Sequence, residues 1–287
     1  MRDVFPSIAE RIHKTHEAYQ SCVLCPHLCE VNRIAEETGF CRLGAQSHIY
    51  REYLHFGEEA ELCPAYTVYL TGCSMRCLFC SEWNQITQPI KHGIPLVPTE
   101  LALRIDEAIK KGAQSLNFVG GDPGVNLLPI LKTLQATKEK TRLVWNSNLF
   151  SSPLAIKLLM GLVDLWLVDV KFGNEKCGKS LSGVPKTAEH VMTQLRVLQE
   201  NNEEVWVRHL VMPGHYECCT APVLKTMAKD FPNIPVNVMT HFLPLGAPKA
   251  PFQGRLTPAD LAQVSALMER LSPPQWMLNG APYDSTS

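Results

Sequence analysis

The sequence has no apolar run long enough to cross a bilayer; its longest hydrophobic stretches are strand-length and interrupted by polar residues. It also lacks any block of like charge. Lys and Arg total 27 against 28 Asp and Glu, a balance that leaves no electrostatic footprint for a polyanion and sets nucleic acid aside as a partner. The opening residues, Met1-Arg2-Asp3-Val4-Phe5-Pro6, lack the pattern of a secretory signal. A cytoplasmic protein with no membrane partner is the expectation. No internal repeat or low-complexity tract appears. A chain of 287 residues can bury a full core as one main domain with small appendages.

Cysteine is what the chain has in excess, with 11 residues. Seven of them fall in two tight groups, Cys22/Cys25/Cys29/Cys41 and Cys73/Cys77/Cys80. A secreted disulfide scaffold would be short and loop-rich, so metal ligation is the better reading of both groups. Cys63, Cys177, Cys218 and Cys219 share no ligand spacing and read as buried structural thiols.

Ile8, Ile12 and Tyr19 sit at helical spacing and predict a helix over residues 1 to about 20. Residues 21–62 carry the first cysteine group and few apolar runs, which suits a small metal-stapled segment; a boundary near Pro64 divides it from the rest. Strand and helix then alternate. Strand-like runs at Thr67–Leu70, Leu116–Val119, Leu143–Trp145, Leu165–Val170, Val205–Val207 and Val236–Met239 are each followed by a helical pattern, the first capped by Thr99 and ended by Gly112. Further helices are predicted near 127–138, 153–160, 187–200, 221–229 and from Thr257 onward. Such alternation implies a parallel α/β sheet with right-handed crossovers, either doubly wound or a barrel. In both, chemistry gathers at the C-terminal strand ends. There the sequence offers Cys73, Gly120-Gly121-Asp122, Asn146-Ser147-Asn148, Asp169 and Lys171, Arg208-His209 and Thr240-His241.

Cys73-Ser74-Met75-Arg76-Cys77-Leu78-Phe79-Cys80 follows the first of these strands directly. Three thiolates on one loop can hold three corners of a 4Fe-4S cubane and leave one iron open. An open iron can chelate the amine and carboxylate of S-adenosylmethionine (SAM), and an electron from the reduced cluster then breaks a carbon-sulfur bond to give a 5'-deoxyadenosyl radical. A closed structural zinc site would need a fourth ligand, which Cys63 alone offers. Phe79, just before the last cysteine, is suited to pack against an adenine.

This motif resembles the signature of the radical SAM superfamily. Tyr69-Leu70-Thr71-Gly72-Cys73 and Trp83-Asn84-Gln85-Ile86-Thr87 are similar to its pyruvate formate-lyase activating branch. Within that branch the likeness is to uncharacterised homologues with an N-terminal cysteine cluster. It rests on Cys25-Pro26-His27-Leu28-Cys29, Asn117 to Pro123, Val144 to Asn148, Asp169-Val170-Lys171 and Val207 to Gly214, and the shared strings run from Cys22 to about Pro248. The resemblance implies a partial (β/α)6, TIM-barrel-like fold over 63–287, with a cysteine-rich metal-binding extension at 1–62. It also implies that Gly120, Gly121 and Asp122 form the loop receiving the SAM amino group, that Ser147 and Asn148 face the ribose, and that Lys171 or Arg208 faces the SAM carboxylate. Ser81-Glu82 and Gly124-Val125 depart from the relatives' pattern, so the substrate does not transfer by analogy.

The N-terminal thiols suffice for a tetrahedral zinc or iron, or for an auxiliary Fe-S cluster. Spacing does not choose; a structural metal is the simpler reading, because the segment has little core of its own. Among the histidines His27, His209, His215 and His241, only strand-end His209 and His241 are placed to reach a substrate. Tyr216, Cys218 and Cys219, after the fifth strand, are placed to give up a hydrogen atom or proton. The expected function is that of an oxidoreductase whose radical abstracts hydrogen from a small molecule or peptide, fed by a reductant such as flavodoxin or ferredoxin. The alternatives are an activase acting on the glycine of a partner protein and, more remotely, a metal-binding or electron-transfer protein without SAM turnover.

Overall fold

The computed structural model describes residues 5–247, 252, 254–271 and 275–283. Met1–Val4 of the expected first helix and Pro248 lie outside the described residues. Helix α1 (Ile8–Gln20) starts at a reciprocal capping box, in which the Ser7 hydroxyl accepts from the Glu10 amide and the Glu10 carboxylate accepts from Ser7. Its Arg11 donates to the carbonyls of Leu158 and Met160, which docks the helix on the main body.

Strand β1 (His48–His55) runs antiparallel to β2 (Ala65–Leu70), and a two-residue strand β3 (Ile94–Pro95) pairs with β1. Residues 48–55, read from sequence as part of the metal-stapled segment, therefore belong to the sheet. Then come α2 (Trp83–Thr87), α3 (Pro98–Lys110), β4 (Ser115–Gly120), α4 (Leu127–Ala136), β5 (Arg142–Ser147) and α5 (Pro153–Leu159). The series continues with β6 (Leu165–Asp169), α6 (Glu175–Ser182), α7 (Thr187–Glu200), β7 (Val205–Leu210), α8 (Ala221–Asp230) and β8 (Val236–Met239). It closes with α9 (Pro258–Leu271), β9 (Trp276–Leu278) and β10 (Ala281–Pro282). Thr99 does not cap α3: Val97 holds the cap position without a side-chain bond and Pro98 sits at the first helical position, where its missing N–H costs nothing.

The parallel strands lie in the order β2, β4, β5, β6, β7, β8, β9, each beside the one before. A doubly wound sheet reverses its order at a switch point. This one does not, so the architecture is the open, partial α/β barrel, with β9 as a further parallel strand. Alternate residues pack on opposite faces. Phe118, Trp145, Trp166, Val168 and Val207 join the main core under the helices, whereas Val144, Leu165, Leu167 and Trp206 gather with Leu62 in a second cluster. Each such side chain contributes roughly 1.5–3 kcal/mol on burial. Two residues beyond Trp206, Arg208 pairs with Glu58 and Glu59 from the segment joining β1 to β2, and Asn117 and Asn237 donate to the same carboxylates at 3.0 and 2.8 Å. Among the described residues no helix is long and apolar enough to cross a membrane.

Candidate active site

Strand β2 ends at Leu70, and Gly72, at φ +73°, turns the chain into the cysteine loop. Beside it the Gly121 amide donates to the Leu70 carbonyl at 2.7 Å. A Cβ at 121 would lie 1.8 Å from the Gly72 carbonyl oxygen, and one at 120 would lie 2.4 Å from the backbone of Leu70. The two glycines thus let β4 close against the base of the cysteine loop. The loop is held from the far side by α6, whose Ser182 and Leu181 carbonyls accept from the amides of Arg76 (2.9 Å) and Leu78 (2.8 Å).

Cys73 and Cys77 are buried and Cys80 partly so. Burial raises all three thiols, and neighbouring thiols add to the rise at Cys73 and Cys77; Cys77 is pushed up to about 12 although Lys171 opposes the shift. Any metal taken up here therefore has to displace protons from the thiols. The loop faces a cavity of about 220 Å³ lined by these cysteines, Phe79, Gly120, Gly121, Asn146, Asn148, Asp169 and Lys171. Lys171 donates to Asp169 at 2.6 Å. Burial works against its charge, but Asp169 and Cys77 outweigh this and hold it up at about 12. Phe79 stands edge-on to Phe172 and Phe252, with centroids 6.1 and 5.8 Å away.

Several expected cofactor residues also make bonds that build the site. Asp122 is buried and accepts from Ser74 Oγ at 2.7 Å, Ser147 Oγ at 3.0 Å and the Gly124 amide at 3.2 Å. It fastens the cysteine loop to the ends of β4 and β5. Ser147 is occupied by that bond and by the Leu149 amide at 3.0 Å, so its neighbour Asn146 lines the cavity in its place. Asn148 donates through Nδ2 to Cys73 Sγ at 3.5 Å. Of the two residues expected at the SAM carboxylate, Lys171 lines the cavity, whereas Arg208 is absent from this lining and pairs with Glu58 and Glu59. Nothing in the local sequence marks those two acids as its partners, which lie about 150 positions away.

The N-terminal cysteine segment docks directly on the loop. His27 Nε2 donates to the Ser74 carbonyl at 2.8 Å, and its ring stacks on Phe40 at 3.9 Å. Arg76 lies over the same Phe40 ring at 4.6 Å and donates to the Cys73 and Met75 carbonyls at 2.9 Å. Burial pushes Cys25 up to about 12 and raises Cys41, and Cys22 and Cys29 lie close enough to both to add to the rise. Yet the one set of converging single-ion ligands among the described residues is neither cysteine group. It is Cys177, His215, Cys218 and Cys219, three of which sequence reading left as isolated thiols. His209 is fully buried and His241 is exposed, so the two strand-end histidines do not meet.

The Radical SAM superfamily matches residues 67–227. An uncharacterised protein of Methanocaldococcus jannaschii is 40% identical over 232 residues, covering 79% of this chain and 67% of that protein. The pyruvate formate-lyase-activating enzyme of Staphylococcus epidermidis is 24% identical over 159 residues, covering 52% of this chain and 62% of the enzyme. In fold the chain is similar to Streptococcus suis SuiB bound to precursor peptide SuiA, at a TM-score of 0.55 and 14% identity over 72% of this chain. The match spans 46% of the SuiB chain.

Proposed function

The chain belongs to the radical SAM superfamily, and we propose that it cleaves S-adenosylmethionine reductively at a 4Fe-4S cluster held by Cys73, Cys77 and Cys80 to start radical chemistry on a peptide or small-molecule substrate. The observation that carries this reading is the three-thiol loop at the end of the first parallel strand, facing the cavity lined by Asn146, Asn148 and Lys171. Held by Cys73, Cys77 and Cys80, such a cluster would pass one electron from a flavodoxin- or ferredoxin-type reductant to the sulfonium of bound SAM, so that the carbon-sulfur bond would break to methionine and a 5'-deoxyadenosyl radical able to take a hydrogen atom from the substrate.

The chain's own residues set the conditions for this. Asn148 directs an N–H at Cys73 Sγ, and hydrogen bonds to ligand sulfurs help set a cluster's potential. Lys171 keeps a positive charge beside Cys77 and Cys80, where it offsets the thiolates and is available to a carboxylate. Phe79 offers a ring to an adenine. A peptide is the favoured substrate class because SuiB, a chain of like fold, binds a precursor peptide. The activase reading is kept alongside it, supported by the likeness to pyruvate formate-lyase-activating enzymes over 52% of the chain.

Anaerobically reconstituted protein reduced with dithionite should convert SAM to 5'-deoxyadenosine and methionine, and Cys77→Ala should abolish the conversion. Undiminished 5'-deoxyadenosine from Cys73→Ala, Cys77→Ala and Cys80→Ala alike would sink the proposal. Deuterium transfer into 5'-deoxyadenosine from labelled peptides, set against transfer from labelled glycine in a partner protein, separates the two substrate readings.

A further inference from the structure

Cys177, His215, Cys218 and Cys219 are scattered in sequence but bring one ligand atom each to within 4.8 Å of all the others. Cys177 lies in the first turn of α6, after β6. His215 immediately precedes, and the other two cysteines occupy, a π-helical turn over Tyr216–Thr220 between β7 and α8. Both segments leave the C-terminal ends of adjacent parallel strands. We propose that these four side chains form a closed, tetrahedral Cys3His zinc site that staples the two loops together at the barrel mouth.

The distances select a single ion. With Zn–S of about 2.3 Å and Zn–N of about 2.0–2.1 Å, a regular tetrahedron puts a ligating nitrogen about 3.6 Å from each sulfur. His215 Nδ1 is 3.7 Å from Cys177 Sγ and 3.2 Å from Cys218 Sγ, on either side of that value. A cubane would hold its thiolates farther apart, around a body of eight iron and sulfide atoms, so this set is too tight for one. Three soft thiolates and an imidazole, with no carboxylate, are a ligand set that suits zinc in tetrahedral geometry. On binding, the three thiols release their protons to solvent and His215 ligates through neutral Nδ1.

The surroundings are built to bring the two loops this close. Asn174 accepts from the Cys177 amide at 2.9 Å and donates to the Cys218 carbonyl at 2.6 Å, so one side chain registers both halves. A Cβ on Gly173 would fall 2.7 Å from the Cys219 carbonyl oxygen and 2.8 Å from that of Cys218, so only glycine permits the approach. His215 packs on Phe252 at 5.5 Å, and Phe252 in turn on Phe79 at 5.8 Å. The zinc would stand one aromatic layer from the cavity, fixing the wall behind Phe79. None of this depends on the chemistry assigned to Cys73, Cys77 and Cys80.

Zinc analysis and zinc-edge X-ray absorption on the purified full chain test the site. The expected wild type holds one zinc per chain, with three sulfurs at about 2.3 Å and one nitrogen at about 2.0–2.1 Å. Cys177→Ser and the milder His215→Ala should lose that zinc to a chelator, while Cys25→Ala should keep it. Four sulfurs around the zinc, zinc lost only from Cys25→Ala, no zinc in wild type, or a disulfide between Cys177 and Cys218 or Cys219 in peptide maps would each overturn the proposal. The absorption measurement uses wild type alone, so it stands even if Cys177→Ser does not fold.

Discussion

His209 lies one residue before the end of β7, with its imidazole sealed from solvent and both nitrogens occupied. A carbonyl can only accept, so Nδ1–H donates to Val170 O at 2.7 Å, leaving Nε2 to accept from Thr220 Oγ1 at 3.0 Å. That is the neutral tautomer, and burial holds the pKa down at about 4. The sign follows directly: in the unfolded chain the ring charges near its ordinary value of about 6.5, so its stabilising effect is complete above that pH and is lost as pH falls toward 4. Melting temperature should fall across this window by the equivalent of up to about 3 kcal/mol. His209→Phe should flatten the slope while lowering stability at pH 8; a slope unchanged in the variant would assign the acid sensitivity to other groups. From sequence, His209 is legible as a strand-end residue that could be either a satisfied structural group or one that reaches a substrate, and the structure shows the first. The partner that neutralises its role, Thr220, lies across a turn whose geometry no local pattern encodes. The same applies to Ser147 and Arg208, whose residue types fitted a cofactor but whose hydrogen bonds go to Asp122 and to Glu58 and Glu59.

At the scale of elements, Gly121 shows how a site can depend on backbone packing. The resemblance makes it part of the loop that receives the SAM amino group; on that ground alone a side chain there should weaken SAM binding and spare the cluster. The contact with the Gly72 carbonyl changes that expectation. Gly121→Ala must push the end of β4 away from the residue before Cys73, at a cost of at least about 2 kcal/mol. The variant should melt several degrees lower and reconstitute with less iron, as well as bind SAM more weakly; full iron with weakened SAM binding would restore the ligand-approach reading. The six strand-helix units were readable because each inward and outward face repeats with the period of its element. Strand β1 was not, because Arg51 and Glu52 interrupt its pattern and it sits near the sheet edge, where one-sided burial leaves a weak alternation. Helix α6 was hidden by its own composition, as its buried face consists of Cys177, Gly178, Leu181 and Ser182, which give almost no apolar period.

The largest scale is set by the docking of the N-terminal cysteine segment on the loop that carries Cys73, Cys77 and Cys80. His27 and Phe40 belong to the first cysteine group's segment, yet they hold Ser74 and Arg76 inside the second. Arg76 feels the thiols of both groups, Cys73 first and then Cys41 and Cys80. The sequence showed two groups of ligands and could not show that they touch. If Cys22, Cys25, Cys29 and Cys41 carry an auxiliary Fe-S cluster, and not the structural metal that is the simpler reading, wild type should contain about eight irons, eight sulfides and one zinc. Cys25→Ala should then drop to about four irons and four sulfides and keep its zinc. Because His27 and Phe40 would lose the frame that aims them, the variant should also cleave SAM more slowly per remaining cluster, and His27→Ala, with every cysteine intact, should slow cleavage without losing iron. Iron and sulfide unchanged in Cys25→Ala would show that the first group binds no cluster. A normal rate in His27→Ala would show that the contact with Ser74 is incidental to the loop, whatever metal the neighbouring thiols hold.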